Sequence, residues 1–281
     1  MEANRKPRDD EIDVHGLTHI GKVRKDNQDQ FLIATVHKRF QVLSTSLTST
    51  ERFDTGEQRV AFLAMVADGV GGGFGGQRAS ATALEVVTEY VTSSSECFLH
   101  ANSSEAEFIQ TLNTAALKSH EAVRARAKAE ADGRAMATTL TLFIGVWPWY
   151  YVLQVGDSRH YLFREGKLTQ ISRDQTIAQD LVDKGVLTRA NAERSRLSDV
   201  LSSAIGADEA LPVVTRLLSD WGNVHLFCTD GLTKHVTDER IAEVLRTMTG
   251  AKQAAEQLLQ EALDGGGTDN ITIIVGRTLK R

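Results

Sequence analysis

Five aspartates stand at the ends of apolar runs of strand length, and that placement constrains the fold more than any other feature of the chain. Three close a run: residues 62–67 lead into Asp68-Gly69, 151–156 into Asp157-Ser158, and 224–229 into Asp230-Gly231. Two open one: Asp29 precedes 31–34, and Asp269 precedes 271–275. In an antiparallel sheet the end of one strand lies beside the start of its neighbour. Both kinds of carboxylate can therefore gather on one rim. Like charges packed there raise each other's pKa unless cations join them, so the economical reading is a hard divalent-metal centre with oxygen ligands.

The pattern between these points predicts the architecture. Residues 12–34 read as two strands joined by a polar turn at 24–29, and 138–171 is continuous strand material with turns at Pro148 and at Glu165-Gly166-Lys167. Helical periodicity covers 78–92 and 104–131, with Ser104 as N-cap, and again 238–247 and 252–263. Strand-rich blocks separated by adjacent helices do not fit a doubly wound parallel sheet. They fit an α+β sandwich of four layers, α-β-β-α: two antiparallel sheets face to face with helix pairs outside.

Residues 1–11 read as a disordered, charged N-terminal leader, and 12–281 as a single catalytic domain. Within it, 37–59 forms a polar insert with a short extra strand at Phe40–Leu43. Residues 174–220, with two short amphipathic segments and a polar arginine-containing stretch, form a mobile flap region in which nothing insists on burial.

The chain has 281 residues, enough for a substantial core, and a net charge of −5 from 32 basic and 37 acidic side chains. Such mild acidity argues against a nucleic-acid surface, which shows a clustered basic face. Only Cys97 and Cys228 occur, so a disulfide framework is excluded and a reducing cytoplasmic setting is expected. Cys228, inside an apolar run, reads as a buried structural thiol. No apolar run reaches the roughly 18 residues of a membrane span. The eight histidines lack a zinc spacing, His15 and His19 included.

Five short motifs follow one another in a telling order. They are Gly21-x-Val23-Arg24-x-x-Asn27-Gln28-Asp29, Ala67-Asp68-Gly69-x-Gly71-Gly72, Gly156-Asp157-Ser158-Arg159, Thr229-Asp230-Gly231-Leu232 and Thr268-Asp269-Asn270-Ile271-Thr272. A lone Asp-Gly is usually only a turn; five independent turns have no reason to reproduce one order. The set resembles the bacterial branch of the type-2C, metal-dependent protein serine/threonine phosphatases, from about Val14 to Val275.

That resemblance implies hydrolysis of phosphoserine and phosphothreonine in proteins, by direct attack of a hydroxide bridging two Mn²⁺ or Mg²⁺ ions. It implies that Asp68 bridges both metals, with the Gly69 carbonyl on one of them, and that Asp230 and Asp269 hold the other. Gly69 is then needed for a sharp backbone turn. Asp29 joins the cluster, orienting metal-bound water, and Asp157 joins Asp230 at a weaker third metal. Arg24 matches the family's phosphate-binding arginine, and a guanidinium fork suits phosphate. Arg159 reads as a structural salt-bridge partner. The implied partners are phosphorylated proteins and an opposing serine/threonine kinase, with no nucleic acid and no membrane, for a monomeric enzyme.

The chain also departs from the family. Many eukaryotic members carry a histidine after the Asp-Gly pair, a candidate general acid, where this chain has Val70. Gln175 stands in the flap where a histidine or another polar residue is expected. A rival reading, dinucleotide binding at Gly71–Gly76, lacks the second strand and its acidic residue about 20 positions on. A second rival, an inactive phosphatase-fold module that binds phosphoproteins, would have lost ligands, and every expected carboxylate is present.

Overall fold

The computed structural model describes residues 5–39, 41–42, 44, 46, 48–49, 57–71, 75–94, 104–130 and 136–280. In chain order its elements are β1 (Ile12–His19), β2 (Gln30–Arg39), β3 (Glu57–Ala67), the two-residue β4 (Gly69–Val70), α1 (Gly75–Ser93) and α2 (Glu105–Ala129). Then come β5 (Ala137–Thr138), β6 (Leu140–Val146), β7 (Trp149–Val155), β8 (Arg159–Arg164) and β9 (Lys167–Gln170). The chain continues through α3 (Ile177–Asp183), α4 (Arg189–Glu193), β10 (Val213–Leu218) and β11 (Val224–Cys228). It ends with α5 (Asp230–Thr233), α6 (Asp238–Thr247), α7 (Ala251–Asp264) and β12 (Ile271–Thr278).

Two five-stranded antiparallel sheets result, ordered β1-β12-β11-β8-β9 and β10-β7-β6-β3-β2. Their central strands carry near-continuous apolar runs, such as 60–67 in β3 and 273–275 in β12, because both faces are covered there. Along β3, Leu63, Met65 and Ala67 pack with Ala79, Val87 and Leu112 of the helices. The alternate residues Ala64 and Val66 meet Phe227 and Ile274 of the opposite sheet. Strand β12 repeats the pattern, with Ile271, Ile273 and Val275 against the helical residues Ile241, Leu245 and Leu258. The period of two that sorts side chains to opposite faces thus builds three apolar layers. The expected α-β-β-α sandwich is what forms.

The second helix begins where its cap predicts, whereas α1 starts at Gly75, three residues before the expected 78. Ser104 Oγ accepts from the Glu107 N–H at 3.2 Å while a Glu107 carboxylate oxygen accepts from the Ser104 N–H at 2.9 Å, a reciprocal capping box. The β8–β9 hairpin turns at Glu165 and Gly166, both with positive φ.

Three expectations need correction. Residues 5–11 are not disordered: Arg5 and Arg8 enclose the buried Glu11 carboxylate, Arg59 of β3 pairs with Asp9 at 2.7 Å, and Leu279 N–H donates to Glu11 O at 2.8 Å. Composition marked the stretch as charged but could not show that its charges neutralise one another locally. The region 174–220 is not uniformly a flap. Ala204 and Ile205 are buried, and β10 extends a sheet beside β7. Val213 and Leu218 of this edge strand stay half exposed, and Arg216 stacks over Trp149 at 4.1 Å, which blurs its alternation. The insert at 37–59 is shorter than expected, because β2 runs to Arg39 and β3 starts at Glu57. Phe40 and Leu43, ends of the expected extra strand, lie outside the described residues.

Candidate metal centre

Sheet register brings the five aspartates to one end of the sandwich. Gln30 at the start of β2 pairs with Ala67 at the end of β3, placing Asp29 beside Asp68. Cys228 at the end of β11 pairs with Ile273 of β12 and with Arg159 at the start of β8, which gathers Asp230, Asp269 and Asp157. A cavity of about 1670 Å³ opens there, lined by Asp68, Asp157, Asp230, Asp269, Arg24 and Lys234 among others. Asp29 lies behind its wall, 1% exposed.

Each carboxylate has a distinct setting. Asp29 Oδ2 accepts from Thr229 Oγ1 and Thr272 Oγ1, both at 2.8 Å. Burial pushes its carboxyl up to about 7 against those two hydrogen bonds, and the charges of Asp230 and Asp269 add to the rise. Burial also lifts Asp68 well above the usual carboxylate range, helped by the negative charges of Asp29, Asp230, Asp157 and Asp269. Asp157 rises to about 8 through burial and then Asp230. All five groups thus share one field.

Two glycines let the motif loops meet. A Cβ at Gly69 would collide with the Gly76 carbonyl and the Gln28 carbonyl, and one at Gly231 with the Asn270 carbonyl. Gly69 is not among the glycines with positive φ, so close approach of neighbouring backbone, not a sharp turn, requires it. Around them, Asn270 Oδ1 accepts from Gln28 N–H at 2.9 Å, and its Nδ2 donates to Ile20 O and Asp26 O. That one side chain pins the 20–28 turn to the start of β12. Thr139 Oγ1 accepts from the Asp68 N–H at 2.9 Å.

Two side-chain cations sit among the carboxylates. Arg24 Nε and Nη2 donate to Asp269 Oδ1 and Oδ2 at 2.7 and 2.8 Å, a bidentate pair. Lys234 Nζ lies 2.6 Å from Asp230 Oδ2 and 3.0 Å from Asp269 Oδ2. Burial opposes the charge on Lys234, but Asp230 and Asp269 outweigh it and raise its pKa. Asp269, although burial works the other way, is held below the usual range by Arg24 and Lys234.

Among the described residues, no three carboxylate, imidazole or thiolate groups converge closely enough to hold an ion as they stand. The donor chemistry nevertheless fits hard divalent cations. Asp29 Oδ1 and Asp230 Oδ1 are buried without a hydrogen-bond partner, an arrangement that is costly unless a cation completes it, and the acidic field is only partly offset by Arg24 and Lys234.

Other expected residues fall into place around this rim. Arg159 forms its expected salt bridge, donating to Asp174 with Nη2–Oδ2 at 2.6 Å and to Tyr161 Oη at 2.8 Å. Gln175 is structural, its Oε1 accepting from the Gly156 N–H at 2.7 Å and its Nε2 donating to Leu211 O at 2.8 Å. Val70 is exposed and offers no proton. Cys228 is a buried free thiol whose pKa burial pushes up to about 12. Gly72–Phe74, within the rival glycine motif, lie outside the described residues, and among the described residues the next element after α1 is a helix, α2, not a strand. Sequence reasoning missed Lys234; its spacing of four from Asp230 at a helix start was the available signal. It also gave no role to Thr139, Thr229 or Asn270.

An α-β-β-α sandwich with an acidic rim defines the class, and comparison gives the family. A family profile described as Protein phosphatase 2C matches residues 52–265. The chain belongs to the protein phosphatase 2C family. It is 40% identical over 124 residues to the serine/threonine protein phosphatase PstP of Mycobacterium tuberculosis, covering 44% of this chain and 24% of PstP. The chain thus matches about a quarter of the length of that curated relative. The crystal structure of the M. tuberculosis phosphatase PstP/Ppp superposes with a TM-score of 0.76 at 28% identity, covering 96% of this chain and 99% of that one. A structure of the PstP catalytic domain in complex with two manganese ions gives 0.73 at 28% identity, with the same coverage.

Proposed function

We propose that this protein hydrolyses phosphoserine and phosphothreonine esters in proteins, using two divalent cations, Mn²⁺ or Mg²⁺, at the acidic rim. The observation that carries the reading is the convergence of Asp68, Asp157, Asp230 and Asp269 with Arg24 on one cavity, backed by the buried Asp29. In this reading Asp68 would be shared by both ions, the Gly69 carbonyl would serve one, and Asp230 and Asp269 would hold the other. Asp157 would serve a weaker third with Asp230. Such ions would neutralise the phosphate dianion and acidify a water for in-line attack.

The chain's own residues supply the rest. Arg24 exchanges the Asp269 carboxylate for phosphoryl oxygens, which present the same bidentate geometry. Thr229 and Thr272 fix the Asp29 carboxylate through Oδ2 and leave its buried Oδ1 without a hydrogen bond. Segment 177–200, tied down by Arg173 to Asp180 and Asp183, borders the cavity and shapes substrate access. We read 12–281 as one catalytic domain. Phosphoproteins are the proposed substrates, opposed by a serine/threonine kinase. No helix among the described residues is long and apolar enough to cross a membrane. Nothing in the comparisons favours the inactive binding module.

The test is hydrolysis of phosphopeptides and p-nitrophenyl phosphate by the full chain, with EDTA and with added Mn²⁺. Activity should vanish with EDTA and return with Mn²⁺. Asp68→Asn should lower kcat by about a hundredfold or more, as loss of charge stabilisation at a reacting centre does, with an unchanged circular dichroism spectrum. Wild-type turnover in that variant would remove the metal assignment.

A further inference from the structure

Lys234 occupies a position that an ordinary surface lysine does not. It caps the C-terminus of α5, whose first residue is Asp230, so the two meet as an i,i+4 pair. The same ammonium also reaches Asp269, 35 positions away in sequence, the other carboxylate of the proposed second metal site. It is two-thirds shielded from solvent, so water screens it less than a surface pair. Asp269 is then fully engaged: Oδ1 accepts from Arg24 Nε and the Asn270 N–H, and Oδ2 from Arg24 Nη2 and Lys234 Nζ.

A divalent cation that needs oxygens of both Asp230 and Asp269 meets a positive charge already bridging them. We propose that Lys234 is a tethered counter-ion, holding the Asp230 and Asp269 carboxylates in the metal-free protein and yielding them to an incoming divalent cation, so that it sets the metal affinity of the centre. The flexible four-carbon stem lets the ammonium withdraw into the cavity it lines. Because the protein must leave the lysine-bridged state to bind metal, the apparent affinity falls by the population of the competent state. A second consequence is stability: the bridge relieves carboxylate repulsion when no metal is bound. This inference rests on the proposed metal centre.

The experiment is calorimetric titration of Mn²⁺ into the metal-stripped full chain, together with thermal melts, for wild type, Lys234→Met, Lys234→Gln and Lys234→Arg. Both neutral variants should bind Mn²⁺ about tenfold or more tightly than wild type, and both should melt several degrees lower without metal. Lys234→Arg, which keeps the charge, should retain the wild-type Kd. If the Met variant does not fold, the Gln variant carries the comparison. Neutral variants whose Kd is unchanged or weaker overturn the inference while leaving the centre intact, and so does loss of folding in both, which marks a purely structural pair. Absence of Mn²⁺ binding in wild type and variants alike overturns the centre, and the inference with it.

Discussion

Arg24 and Asp269 meet across 245 positions of sequence, and their pairing gives the arginine two faces. It neutralises a carboxylate in the present structure, and its forked donors suit a phosphoryl group in the proposed reaction. Removing it withdraws charged hydrogen bonds from the bound substrate, a change of about 1.5–3 kcal/mol each in typical cases. Arg24→Ala should therefore raise KM for phosphopeptides by about tenfold or more with kcat nearly unchanged, the pattern of lost ground-state binding. Steady-state kinetics checks it, and an unchanged KM would reduce Arg24 to a salt-bridge partner of Asp269. The motif aspartates were legible residue by residue, because a carboxylate after an apolar run is a local signal. Lys234 was only half legible: its spacing of four from Asp230 is a local signal, but its contact with Asp269, 35 positions on, is not.

At the scale of elements, the facing sheets bury a small aromatic layer with two histidines in it. His160 of β8 stacks on Phe227 at 4.4 Å, and its Nε2 lies 3.1 Å from His225 Nδ1 of β11. Burial, and then His225, holds His160 well below the usual imidazole range; burial takes His225 down to about 4. The native state thus keeps both neutral while the unfolded chain protonates near pH 6.5. Below that value the unfolded state binds more protons, so stability is present above about pH 6.5 and is lost as pH falls toward about 4. Between about pH 7 and pH 5 wild type should lose several degrees of Tm relative to His225→Phe, which keeps the ring without the proton site, since the raised carboxylates of the rim titrate alike in both. An equal loss in the variant would assign the acid sensitivity elsewhere. The elements themselves were readable where both faces are buried, as in β3 and β12, or where a cap marks the start, as at Ser104. Edge strand β10 escaped notice because an edge carries only half the apolar pattern.

At the scale of the whole molecule, the buried carboxylates of Asp29, Asp68 and Asp157 oppose folding in their ionised form until a cation offsets them. A metal that binds only the folded state stabilises it by mass action, about 2.7 kcal/mol at a hundredfold excess over Kd. Mn²⁺ should therefore raise the Tm by roughly 5–10 °C at that excess, and EDTA should reverse the gain. A Tm indifferent to Mn²⁺ would argue that the rim does not bind it. By itself the sequence determined the layers, the order of the motifs and which acids could share a site, because alternation and turn chemistry are short-range properties written along the chain. Only the tertiary structure decided that residues 5–11 fold onto β3, that Gly69 and Gly231 are there for backbone contact, and that Arg24 and Lys234 clasp Asp269. Those outcomes depend on which distant backbones and charges come within a few ångströms, and sheet register, not local pattern, sets that.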